Sequence, residues 1–223
     1  MENFSSLPLL SKLSPTHTLY ILKPESLLRE LLTFTMMDLI LQERLQLLNF
    51  DPNPVQGKVR LGFAAVAPGK KFQQDKAMLH EMVFLFPFYR KPNVRIVMRH
   101  LLQMGINASR TEAYFKGRLL MDLPEMKPLF RKSWWQKIFG GQQLTTEGKQ
   151  SQAALIKLLN TLDKELPLLL KADREKASLI LQQVKGNVIL MNSFKLDLIS
   201  LIGKEMQRVE DEAEQGRDYN PDE

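Results

Sequence analysis

Cysteine is absent from the 223 residues, which excludes disulfides, cysteine-ligated zinc and thiol chemistry and is compatible with a reducing, intracellular location. No apolar run approaches the roughly 18 residues that a membrane-spanning helix needs. The first fifteen residues carry an acid at Glu2, no basic region, and Pro8 within their apolar run, so they read poorly as a secretory signal. Histidine is scarce, and His17, His80 and His100 stand apart, without the i, i+4 spacing that zinc sites use. His80 beside Glu81 is the nearest approach to such a pair and reads as a surface pair. The chain has no G-x-G-x-x-G, no phosphate-cradling loop and no nucleophile elbow. The expectation is a protein that is not an enzyme and uses neither metal nor cofactor.

What is present is an ordinary globular composition, 44% hydrophobic and 25% charged. The chain is long enough to bury a full core. The net charge of +6 conceals a division. Residues 209–223 hold seven acids against one base, Arg217, and leave 30 bases against 18 acids on residues 1–208, a body of about +12. Such a field favours anionic partners such as lipid headgroups, nucleic acid or acidic protein surfaces. The alternative is a lysine-rich solvated surface with an acidic end.

Residues 27–63 organise the chain. Leu28, Leu31, Leu32, Thr35, Met36, Leu39 and Ile40 recur at helical spacing. Residues 45–47 then read as a strand, Pro52, Pro54 and Gly57 mark a loop, and residues 59–63 alternate like a returning strand. Helix followed by hairpin is winged-helix-like, an outline used by DNA binders, interaction modules and some lipid binders. Before it, residues 1–18 read as a loose segment and 19–22 as a short strand. Pro24 and Glu25 look like a helix start.

After it, residues 73–86 read as a helix ended by Pro87 with an aromatic end. Residues 93–105 put Val94, Val97, Met98, Leu101 and Leu102 on one helical stripe, with Arg95 and Arg99 on its flank and Gly105 as its C-terminal stop. A second hairpin around Lys116 and Gly117 competes with a helix capped by Ser109 and Glu112. Residues 127–139 mix bases with Trp134 and Trp135. They read either as a membrane or single-strand contact or as a packed helix face of Phe130, Trp134 and Ile138. A helix from Leu144 to Glu165, with Ala154, Leu155, Leu158, Leu159 and Leu162 inward, is closed by Pro167. Helical residues 172–206 break near Gly186 and Asn187.

Three stretches carry a family resemblance. Residues 35–48, TMMDLILQERLQLL, resemble the helix-to-strand segment of the Golgi phosphoprotein family of phosphoinositide-binding proteins. Residues 93–106, NVRIVMRHLLQMGI, resemble its next marked helix, and residues 117–124, GRLLMDLP, its hydrophobic hairpin. The resemblance spans roughly residues 20–205 and is that of a distant, prokaryotic-like member. It implies a single, mainly helical domain with a basic pocket for phosphatidylinositol 4-phosphate and a hairpin that enters the membrane. Arg95 falls on one of the family's phosphate-contacting arginines, while that residue's companion becomes Pro92. The pocket tryptophan and the first-helix arginine fall at Lys23 and Leu32. Arg29, Arg90 and Lys91 are substitute cations, so general anionic-lipid binding transfers better than inositide selectivity.

The expected architecture is therefore mainly α, a single helical domain over residues 19–206 with short β-hairpins, and an acidic disordered tail at 207–223. The expected function is a peripheral membrane adaptor in the cytoplasm that binds anionic membrane lipid and presents itself to protein partners or to a second copy. Arg95, Arg90, Lys91 and Arg29 would bind the headgroup, and Tyr114, Phe115, Leu119 and Leu120 would form the membrane-contact hairpin. Two readings remain beside it: a winged-helix nucleic-acid binder using residues 35–44 as recognition helix with Lys58 and Arg60 on its wing, and a scaffold with no specific ligand. The recognition helix is poor in donors for bases, which makes nucleic acid the weaker partner.

Overall fold

The apolar periodicity after Leu27 forms a helix, and the chain packs around it. The computed structural model describes residues 6–48, 61–74, 76–131, 143–194 and 196–218. In order these form α1 (Leu7–Leu10), α2 (Pro15–Leu22), α3 (Leu28–Leu41), β1 (Leu45–Leu48), β2 (Ala65–Pro68), α4 (Met82–Arg90), β3 (Ile96–Val97), α5 (Met98–Ser109) and α6 (Glu112–Tyr114). A π-helical turn (Phe115–Leu119) and 3-10 turns lead to β4 (Phe130–Arg131) and β5 (Gln143–Leu144), followed by α7 (Thr146–Ala172), α8 (Arg174–Val184), further 3-10 turns, and α9 (Asp197–Asp218). The fold is mainly α with short antiparallel strands. Leu45 lies opposite Pro68 and Leu48 opposite Ala65, β3 joins the far side of β2, and β4 pairs with β5.

Helix α3 is the centre, because its apolar residues are not confined to one stripe. Leu31, Leu32, Met36 and Leu39 are fully buried, each contributing on the order of 1.5 to 3 kcal/mol. Helices α2, α5 and α9 surround it. It ends without glycine: Glu43 takes the left-handed conformation (φ 57°), and the Arg44 N–H donates back to the Leu39 carbonyl at 2.9 Å. That turn delivers the chain into β1.

The N-terminal expectations are corrected. Residues 7–22 are not a loose segment followed by a strand but two packed helices. The buried Asn187 amide donates to the carbonyls of Leu10 and Leu13 and accepts from Thr18, which ties this segment to the end of α8. Helix α3 begins at Leu28 rather than at Pro24, and the Leu28 N–H donates to the Glu112 carboxylate at 3.0 Å, so a distant acid caps it.

Both internal prolines sit inside helices instead of ending them. Helix α4 starts at Met82 and passes through Pro87, held by buried Phe84 and Phe88. Helix α7 passes through Pro167. The carbonyl that Pro167 leaves without an N–H is that of Asp163, and the Ser193 hydroxyl donates to it at 2.7 Å. Gly105 lies within α5, not at its end. A Cβ there would come within 2.1 Å of the Phe84 ring, so glycine permits the close contact of α4 with α5.

The membrane-contact hairpin is also corrected. Residues 112–122 are helical, with Thr111 capping the Tyr114 N–H. Phe115 and Leu120 are fully buried and Leu119 nearly so, while Tyr114 is half-buried beneath Arg110. Helix formation turns Phe115, Leu119 and Leu120 inward, whereas the hairpin reading placed all four residues against the membrane. Phe130 belongs to β4 and stacks on Tyr20 with ring centroids 4.6 Å apart. It therefore does not begin a helical face, and Trp134 and Trp135 lie outside the described residues.

The acidic end is not a separate tail. Helix α9 continues to Asp218, Val209 is buried, Glu210 pairs with Arg29 at 3.7 Å and Glu212 with Arg99 at 3.3 Å. Residues 219–223 lie outside the described residues.

Candidate functional site

The headgroup residues divide. Arg90, Lys91 and Arg95 lie on the connection from the end of α4 to β3, and all three are exposed. Among the described residues, none of them has a carboxylate within ion-pair distance. Arg95 is not on a helical flank. Ile96 and Val97 pair with β2, and the Met98 N–H donates to the Ala64 carbonyl, so α5 begins only after them. Arg29 does not join this group, because it sits on α3 against Glu210 of α9. Arg99 is taken up by Glu205 at 2.9 Å and by Glu212.

Aromatic residues interleave with those cations, a feature the sequence signalled only as an aromatic helix end. Phe86 is 53% exposed, one turn before Arg90, whose guanidinium lies 5.8 Å from the ring centroid. Tyr89 is exposed against Phe72, at 4.7 Å between centroids. Val97, on β3, is exposed two residues after Arg95. The result is a ridge of apolar and cationic side chains along residues 86–97.

A second feature is a cleft of about 710 Å³ on a different set of elements. Lys12 after α1, Lys71 and Lys76 between β2 and α4, and Lys185 after α8 edge it, and Arg44 and Glu81 line its inner part. The loop at Lys71 is held there because the Lys71 N–H donates to the Glu43 carbonyl at 3.0 Å and the Gly69 N–H to Arg44 at 2.9 Å. Arg44 and Glu81 pair at 2.7 Å with 4% of each side chain exposed, and Glu81 also accepts the Met78 N–H at 2.8 Å.

The reading of His80 and Glu81 as a surface pair is overturned, since both are buried. The histidines do not stand alone either. The rings of His17 and His80 meet edge to face at 4.5 Å, and the Ser14 hydroxyl lies between His17 Nδ1 (2.8 Å) and His80 Nε2 (3.1 Å). Burial lowers His17 to about 4 and carries His80 well below its usual range, so both rings are neutral at pH 7. No sequence spacing could announce this cluster, because Ser14 and His80 are separated by 66 residues. Among the described residues no group of three or more His, Cys, Asp or Glu is placed to hold a metal ion.

Asp38 is buried behind the cleft, so close to Gly186 that a Cβ there would meet its Oδ1 at 1.9 Å. Burial, helped by nearby Glu81, raises its carboxyl from 3.8 to about 7, against Gln42, Arg44 and Lys185. The unfolded chain releases this proton near 3.8 and the folded one near 7. Folding is therefore penalised increasingly as pH rises between those values, with the full penalty above 7. Asp38→Asn carries no such penalty. It is expected to raise the melting temperature at pH 8 and to leave it nearly unchanged at pH 4. The His17 and His80 contributions, which remove stability as pH falls below about 6.5, cancel in that comparison. Melts at the two pH values check this, and an equal effect at both would refute it.

In the helix that the nucleic-acid reading would place in a groove, Thr35, Met36, Met37 and Leu39 are buried and Arg44 is paired inside. Lys58 and Arg60 lie outside the described residues. No helix among the described residues is long and apolar enough to cross a membrane. Comparison with known proteins finds no matching family model, no similar curated protein and no similar solved structure.

Proposed function

We propose that the protein is a non-enzymatic peripheral adaptor that attaches to anionic lipid headgroups through the ridge of residues 86–97. The observation that carries this reading is the exposure of Phe86, Tyr89 and Val97 among Arg90, Lys91 and Arg95, cations with no carboxylate partner among the described residues. Aromatic rings favour the headgroup boundary, and each nearby Lys or Arg adds about 1 kcal/mol of attraction to an anionic leaflet. The sequence resemblance to the Golgi phosphoprotein family points the same way through Arg95. Arg29 and the buried Phe115, Leu119 and Leu120 have no part in the attachment.

Sedimentation with vesicles tests it. The protein is expected to pellet with phosphatidylserine-containing but not with purely phosphatidylcholine vesicles, and less so as salt shortens the screening length. Arg90→Glu with Lys91→Glu and Arg95→Glu should abolish pelleting, and Phe86→Ser should weaken it. Lys157→Glu with Lys164→Glu on α7 should change it little. Equal pelleting with both vesicle types, or with neither, overturns the proposal.

A further inference from the structure

From the lysine-edged cleft we infer a site for a small phosphorylated amphiphile, separate from the ridge: a phosphate monoester that carries a short acyl chain. The cleft volume of about 710 Å³ is that of a small-molecule site. Several of its charges are already matched. Lys12 pairs with Glu125 at 3.2 Å, Lys71 lies 3.9 Å from Glu43, and Arg44 pairs with Glu81. Lys76 and Lys185 are exposed at its edge, with no carboxylate in ion-pair range among the described residues. Two ammonium groups lining one cleft suit a phosphate dianion.

The apolar half of the ligand follows from a neighbouring pocket of about 180 Å³, which shares Lys76, Met78 and Leu123 with the cleft. Ala77, Leu79, Leu119 and Pro124 make the rest of its wall chiefly apolar, and Asp122 is its acid. His17 forms part of the same wall. It is buried, its Nδ1 faces Ser14, and the Leu120 backbone is a further hydrogen-bond partner of the ring. Phosphate on Lys76 and Lys185 and a short chain against Leu79 and Leu119 together use both features. Free phosphate would use only the first.

Calorimetry on the full chain with three probes, 1-hexanoyl-glycerol 3-phosphate, glycerol 3-phosphate and inorganic phosphate, tests this. The hexanoyl compound should bind at least about tenfold more tightly than the other two. Lys76→Glu with Lys185→Glu should lower its affinity by about tenfold or more, and Leu79→Asp, at a partly exposed position, should lower the affinity for the hexanoyl compound alone. The His17 ring resonances should shift on titration. Absence of heat with the hexanoyl compound, equal affinity for all three probes, or unchanged affinity in the double-lysine variant overturns the inference. The ridge variants Arg90→Glu, Lys91→Glu and Arg95→Glu should leave this binding intact, and the cleft variants should leave vesicle pelleting intact, so the two proposals fail independently.

Discussion

Glu81→Ala is expected to cost on the order of 3 to 5 kcal/mol of folding stability. The carboxylate sits 2.7 Å from the Arg44 guanidinium with 4% of either side chain exposed. Its loss leaves a buried cation without that counter-charge, and the Met78 N–H without its acceptor. The price of burying the pair was met by their mutual attraction, and deleting one partner removes the attraction while leaving the desolvation. Glu81→Gln, which keeps an oxygen for the Met78 N–H, should lose less. Glu30→Ala breaks the exposed pair with Lys23 at 3.2 Å and should stay within about 1 kcal/mol of the parent. Urea denaturation of the three variants separates these outcomes. A Glu81→Ala midpoint as close to the parent as that of Glu30→Ala would show that the pair adds nothing.

The contrast between those two acids also shows where sequence reasoning succeeds and stops. Periodicity identified α3 and the helix holding Leu155, Leu158, Leu159 and Leu162, because a repeated apolar spacing is a local signal of burial. The first strand after α3 was legible for the same reason. Prolines misled at two interior positions. Pro87 and Pro167 punctuate a sequence, yet their effect depends on what replaces the missing donor, and Ser193 is 30 residues from the carbonyl it meets. The ridge was half visible, since Arg90, Lys91 and Arg95 are close in sequence, but their exposure was not. The cleft was invisible: its lysines come from three separated segments, and nothing about Lys12, Lys76 or Lys185 taken singly distinguishes them from solvated surface charge. Arg29 failed for the converse reason, being claimed by an acid far along the chain.

That acid belongs to the segment for which composition was least informative. Seven acids among residues 209–223 look like a solvated end, but helical spacing gathers Glu205, Val209 and Glu212 toward the basic body. Ending the chain after Arg208 is therefore expected to lower stability by roughly 2 to 3 kcal/mol. Most of that comes from the buried Val209 side chain. The pairs Glu210 with Arg29 and Glu212 with Arg99 add little, because both are partly exposed. The same truncation raises the net charge from +6 to about +12. Pelleting with anionic vesicles should thus become stronger, while the fold becomes weaker. Val209→Asp isolates the first effect, since it removes the packing and leaves the acids in place. It should lower the melting temperature about as much as the truncation does, without strengthening vesicle association. A truncated protein that melts with the parent would mean that Val209 and the two ion pairs hold nothing in place, and that the acidic segment behaves as its composition alone suggests.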